Sequence, residues 1–158
     1  MSKSVDQKRE QKLIRNAAAG DREAAGELVK LHQTSVYAYI LRLSGRADVA
    51  EDIVQEAFVR VLTNLDRFDP QYRFSTWLFT IARRVFLNAC EKRKPVFDSE
   101  RVGDASGRSC GTNQAWEEIE HQVHTRDAVQ KALMTLSLEQ REVVVLFHQH
   151  DWPIWLIA

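Results

Sequence analysis

The chain has 158 residues, 44% of them hydrophobic, with 22 Lys/Arg balanced by 22 Asp/Glu. That length holds one ordinary domain or two small ones, and a net charge of zero excludes a global field that would draw in nucleic acid, leaving any such binding to a local patch. Two cysteines, Cys90 and Cys110, exclude a disulfide framework and read as reduced thiols; no run approaches the roughly 20 apolar residues that span a bilayer. The N-terminal MSKSVDQKREQK lacks the apolar stretch of a signal peptide, so the expectation is a soluble, cytoplasmic chain without membrane insertion.

Residues up to about Lys94 carry helical periodicity. From Asp21 to Leu43, apolar residues recur at Ala24, Leu28, Leu31, Val36, Ile40 and Leu43, and Gly45 is a suitable stop. Asp48 is an N-cap candidate for the next helix. There Val49, Ile53, Ala57, Val61 and Leu65 form one ridge, with Ala50, Val54, Phe58 and Leu62 beside it. This broad apolar arc leaves a narrow polar strip of Asp48, Asp52, Gln55 and Glu56, from which Val59 also projects, where a purely solvated face needs no valine.

The loop FDPQYRF follows, punctuated by Pro70. Ser75 or Thr76 can then cap a long helix burying Trp77, Leu78, Ile81, Ala82, Val85, Phe86 and Ala89, with Arg83, Arg84, Leu87, Asn88 and Glu91 on its other side. From Arg73 to Lys94 there are six Lys/Arg against one Glu, interleaved with Phe74, Trp77, Phe79 and Phe86. An acidic helix face next to an aromatic-basic segment points to a protein partner on one side and nucleic acid on the other.

Residues 95–113 contain three of the six glycines and no periodicity, which marks a linker. Helical patterning resumes with Trp116, Ile119, Val123, Val129, Leu133 and Leu136. Ser137 to Gln140 matches a capping box opening a helix that carries Val143 to Phe147, expected as core; taken alone that run also suits a buried strand. Asp151-Trp152-Pro153 reads as a cap followed by proline at a first helical position. Among the histidines, Glu118-x-x-His121 and His121-x-x-His124 have chelating spacing, but a di-metal bundle needs a second Glu-x-x-His copy, so no metal or cofactor is expected. With no nucleophile elbow, P-loop or dinucleotide fingerprint, no catalysis is expected either.

The run DVAEDIVQEAFVRVL, then LDRFDP, then FSTWLFTIARRVFLNACEKRKP, resembles region 2 of bacterial sigma factors of the compact extracytoplasmic-function type. The tail ALMTLSLEQREVVVLFHQHDWPIWLIA resembles the start of region 4 of the same family. The resemblance implies an all-α chain of two small helical domains: residues 1–94 as a region 2 bundle, 95–113 as a flexible linker, and 114–158 as a partial region 4. That last part lacks the recognition helix of its helix-turn-helix, because the sequence reaches only the first helix of the motif.

It further implies that Asp48, Asp52, Gln55, Glu56 and Val59 dock the β′ clamp helices of core RNA polymerase. Promoter DNA at the −10 element would then meet Tyr72, Arg73, Phe74, Arg83, Arg84, Asn88, Lys92 and Arg93. An anti-sigma protein is implied as a third partner. Arg84 and Asn88 stand where family members often carry Asn and Asp, so base preference does not transfer. The alternative from another class is a sigma-like interaction module that occupies polymerase or sequesters an anti-sigma without starting transcription.

Overall fold

In a computed structural model the backbone is described for residues 2–93 and 115–157, and side chains for 6–92 and 125–157 apart from 149 and 154. Outside the described residues lie the proposed linker, Cys110 and the side chains of Arg93, Lys94, Trp116, Glu118, Ile119, His121, Val123 and His124. The chain divides into two compact units, Met1–Ala89 and Cys90–Ala158. Every regular element among the described residues is helical: α1 (Ser2–Ala18), α2 (Arg22–Ser44), α3 (Ala47–Thr63), a single 3-10 turn (Leu65–Arg67), α4 (Phe74–Arg93), α5 (Ala115–Met134), α6 (Leu138–Gln149) and α7 (Ile154–Ile157).

Local chemistry sets the joints of the first unit. Gly20, at φ 98°, ends α1 in a conformation that costs other residues a Cβ clash. Asp21 then opens α2, its carboxylate accepting from the amides of Glu23 (2.9 Å) and Ala24 (3.2 Å). Removing that cap with Asp21→Ala is expected to cost about 1 kcal/mol, read as a lower urea midpoint with an unchanged slope. At the other end of α2, Gly45 sits at φ 68° and its N–H returns to Leu41 O at 2.8 Å.

Helix α3 begins two residues earlier than an Asp48 cap would place it. Arg46 occupies the cap position, held by Ser44 Oγ (3.2 Å), and Asp48 lies inside the first turn. Its charge therefore favours the helix through the N-terminal dipole rather than through a cap hydrogen bond. Helix α4 likewise starts at Phe74, upstream of Ser75 and Thr76, with Trp77 N–H donating to Arg73 O (3.3 Å). Burial of the Phe74 ring fixes that start.

The core of the first unit lies where α2 packs against α1 and α3, and where α4 lays its aromatic face on α2. Leu28, Val36, Tyr39, Ile40 and Leu43 of α2 meet Ala50, Ala57 and Val61 of α3, all at 1% exposure or less. Both apolar ridges of α3 turn inward, with Val54 and Leu62 half-buried at the margin. On α4, Leu78, Ala82, Val85 and Phe86 are buried, while Trp77, Ile81 and Ala89 are half-buried. Phe79 joins the core, its ring 5.0 Å from that of Tyr39. Leu31, periodic with the core residues, is instead 51% exposed.

In the second unit the Ser137 capping box is complete: Ser137 Oγ accepts from Gln140 N–H, and the Gln140 side chain accepts from Ser137 N–H. Arg141 of α6 reaches back to cap α5, donating from Nε to Leu133 O (2.8 Å) and from Nη2 to Leu136 O (3.1 Å). The run Val143 to Phe147 is helix, but not uniformly core. Val145 and Leu146 are buried, whereas Val143, Val144 and Phe147 lie between 38% and 46% exposed. A helix turns its consecutive residues through a full circle, so five in a row cannot all face one side. Asp151 does not cap α7; it takes a left-handed conformation (φ 52°), and the Trp152 N–H returns to Leu146 O at 3.1 Å. In the final helix Trp155 is 79% exposed.

Burial of His150 lowers its pKa below the ordinary 6.5, against an opposing pull from Asp151. The unfolded chain therefore binds the proton more readily than the folded one, and stability falls as pH drops through the interval below the unfolded value. Faster exchange of α6 amides is expected at roughly pH 5.5 than at pH 7.5 after correction for intrinsic rates, with the difference reduced in His150→Gln.

Candidate polymerase and nucleic-acid surfaces

Two surfaces, one on α3 and one on the turn leading into α4 and along that helix, present the chemistry that the sequence singled out. On α3, Asp48, Asp52, Gln55, Glu56 and Val59 are all exposed, and at 100° per residue they fall within about a 100° arc. Val59 lies near the middle of that arc at 64% exposure. The acids differ in how far they are neutralised. The Arg46 guanidinium donates to both carboxylate oxygens of Asp48 (3.2 and 2.7 Å), which holds that carboxyl below its usual range. Glu56 accepts from Arg60 Nε at 3.0 Å, one helical turn on. Asp52 and its neighbour Glu51 have no ion pair among the described residues. The strip is thus a solvated acidic face around one apolar side chain, with Asp52 as the uncompensated charge nearest its centre. Glu51 widens it on one edge and belongs beside the residues named from sequence.

The second surface is built on a turn. Asp69 organises it: its carboxylate accepts from Gln71 N–H (2.9 Å) and its carbonyl from Tyr72 N–H (3.1 Å), with Pro70 between supplying a fixed φ. The turn lifts Tyr72 to 69% exposure and leaves Arg73 exposed beside it. Beyond it, Arg83, Arg84, Asn88 and Lys92 are exposed along α4, opposite its buried face. Arg84, Asn88 and Lys92 step by one turn each, spreading basic and amide groups over about 12 Å of helix.

Phe74 does not belong to this surface. It is 2% exposed, its ring 5.4 Å from Phe68, 6.0 Å from Trp77 and 5.2 Å from His32. Placing it among DNA-contacting residues is corrected: the aromatic residue after an exposed Tyr-Arg pair is the anchor that closes the loop. Trp77, half-buried, completes the cluster with its ring 5.3 Å from Phe68.

The structure also shows a cleft that sequence reasoning left out. A cleft of about 430 Å³ opens between α1, α2 and the 68–75 loop, lined by Arg9 and Glu10 of α1, Leu31 and His32 of α2, and Tyr72 and Arg73. The exposed Leu31 is a wall of this cleft. In the sequence, only the placement of Leu31 and His32 on the same helical turn as core residues hinted at it.

The Sigma-70 region 2 family model matches residues 28–96, which contain both surfaces. The chain is 37% identical over 94 residues to the ECF RNA polymerase sigma factor SigW of Bacillus subtilis, an alignment covering 58% of this chain and 50% of that one. It is 32% identical to an engineered region 2 of sigmaE, solved by NMR in complex with GTAAAA, with a TM-score of 0.52 over 57% of this chain and 94% of that one. The sigma factor RpoE of Bartonella quintana, solved with the anti-sigma factor NepR, shares the fold at 24% identity, with a TM-score of 0.60 over 84% of this chain and 79% of that one. The chain belongs to the extracytoplasmic-function group of the sigma-70 family. It spans about half the length of the curated relatives it matches. No helix among the described residues is long and apolar enough to cross a membrane.

Proposed function

We propose that this chain binds core RNA polymerase through α3 and reads and helps open the −10 region of a promoter through the 69–73 turn and α4. The observation that carries this reading is the separation of the two surfaces: an unpaired Asp52 beside a 64% exposed Val59 on one helix, and a 69% exposed Tyr72 with Arg73 on a turn leading into another. An acidic strip around an apolar residue suits a basic, partly apolar helical partner. Asp48, Asp52, Gln55, Glu56 and Val59 are assigned to the β′ clamp helices on that ground.

Strand opening needs bases taken out of the stack and held, with cations on the phosphates. Tyr72 is suited to stacking, and Arg73, Arg83, Arg84, Lys92 and Arg93 to the backbone, with Asn88 offering a donor and an acceptor to a base edge. The chain's work is binding and positioning in the cytoplasm, and the polymerase performs the chemistry. Residues 114–158 are assigned to the start of region 4 and 95–113 to the linker, and an anti-sigma protein covering these surfaces is a further partner.

The test is run-off transcription from promoter templates by core polymerase with and without the chain, beside binding of the two proteins. Binding with promoter-dependent transcripts is expected. Binding without transcripts on either duplex or pre-opened promoter would make the chain an occupant of polymerase rather than an initiator.

A further inference from the structure

We infer that His32 is a positioning residue for the DNA-reading turn, set in place by Glu10 of α1. This rests on the assignment of Tyr72 and Arg73 to DNA. His32 Nε2 donates to Glu10 Oε1 at 2.6 Å, and the two side chains are 14% and 26% exposed. The other face of the arrangement is aromatic: the imidazole centroid lies 5.2 Å from that of Phe74, with the rings tilted at 54°.

Phe74 follows Tyr72 and Arg73 directly and is the first residue of α4, so its place fixes where the turn ends. The turn's other end is held by the same group, since the Phe68 ring packs edge-on against Phe74 at 5.4 Å. A carboxylate bound to one ring nitrogen removes rotational freedom from an imidazole, much as outer carboxylates orient histidines elsewhere. Glu10 thereby fixes the ring of His32, and His32 fixes Phe74. The turn is braced from a helix upstream of the matched region 2 segment.

Packing alone does not require this polar pair. A leucine at position 32 would fill similar space at the half-wet edge of the cleft, but would give Glu10 nothing to hold. The consequence is a division of labour: exposed Arg84 and Lys92 supply strength, and the braced turn supplies selectivity.

The test compares wild type, His32→Leu, Glu10→Leu and Glu10→Gln, each as the full chain. The probes are a pool of single-stranded DNA hexanucleotides that includes GTAAAA, with oligo(dT) as reference. The expected result is that His32→Leu and Glu10→Leu shrink the affinity ratio between the preferred hexamer and its single-base variants by about tenfold. The salt slope of oligo(dT) binding stays as in wild type, and Glu10→Gln, which keeps an acceptor for the imidazole, retains the ratio.

A selectivity ratio unchanged in both leucine variants, whatever happens to melting temperature, would overturn the inference and leave the pair as a simple brace between α1 and α2. Should His32→Leu fail to fold, Glu10→Leu decides alone, because its carboxylate lies at the surface end of the pair. Wild type that prefers no hexamer over oligo(dT) would instead overturn the assignment of the turn to DNA, and the role of His32 with it.

Discussion

Asp52→Lys is expected to weaken binding to core RNA polymerase by about 10- to 100-fold at moderate salt, a loss of about 1.5–3 kcal/mol. Asp52, like Glu51 at the edge of the α3 strip, is paired with no Arg or Lys among the described residues, whereas Asp48 and Glu56 are already engaged by Arg46 and Arg60. Its field is therefore the part of the strip most available to a basic partner. Reversal replaces an attraction with a repulsion at the centre of the arc, next to Val59. Folding gives no opposing reason for failure: Asp52 is exposed, and a lysine there would sit one turn from both Asp48 and Glu56, so stability should change by no more than about 0.5 kcal/mol. Asp66→Lys, the same charge change at an exposed residue of the 3-10 turn, is the control and should bind nearly as wild type. The loss should shrink as salt rises, because exposed charges are screened over about 8–10 Å. Equal binding by Asp52→Lys and wild type in a fluorescence titration would remove α3 from the polymerase interface.

Phe74→Ala is expected to destabilise the first unit by about 3–5 kcal/mol, the cost of deleting a buried ring and leaving a cavity among Phe68, Trp77 and His32. Tyr72→Ala, two residues earlier, should do the reverse. Its ring is 69% exposed, so stability should hold within about 0.5 kcal/mol, while single-stranded DNA binding should fall by the roughly 1–3 kcal/mol that a base-stacking ring supplies. Chemical denaturation of both variants, with hexanucleotide titration of Tyr72→Ala, separates anchor from reader. A Phe74→Ala protein as stable as wild type would mean that the aromatic cluster does not hold the turn. Undiminished DNA affinity in Tyr72→Ala would mean that Tyr72 is not a stacking platform.

Much of the fold was legible because helices announce themselves at short range. The Gly45 stop, the Ser137 capping box and the two inward ridges of α3 depend on residues within one or two turns of each other, and each is found where the sequence places it. The acidic strip was legible for the same reason: once one arc of a helix is apolar, what remains faces out. Errors arose where a residue had two local readings. Phe74 in a basic segment reads as a base-stacking ring, and Leu31 in a periodic row reads as core; local spacing assigns neither correctly.

Sequence by itself determined that the described residues are helical, where α2 stops and α6 starts, and which face of α3 meets solvent, because a period of 3.6 residues and hydrogen bonds to nearby amides carry that information. Tertiary structure alone decided that Phe74 is buried and Tyr72 exposed, that Leu31 lines a cleft, that α6 leaves Val143 and Phe147 uncovered, and that Glu10 meets His32 across 22 positions of chain. Those outcomes depend on which helix packs against which side chain, a long-range matter that no local pattern encodes.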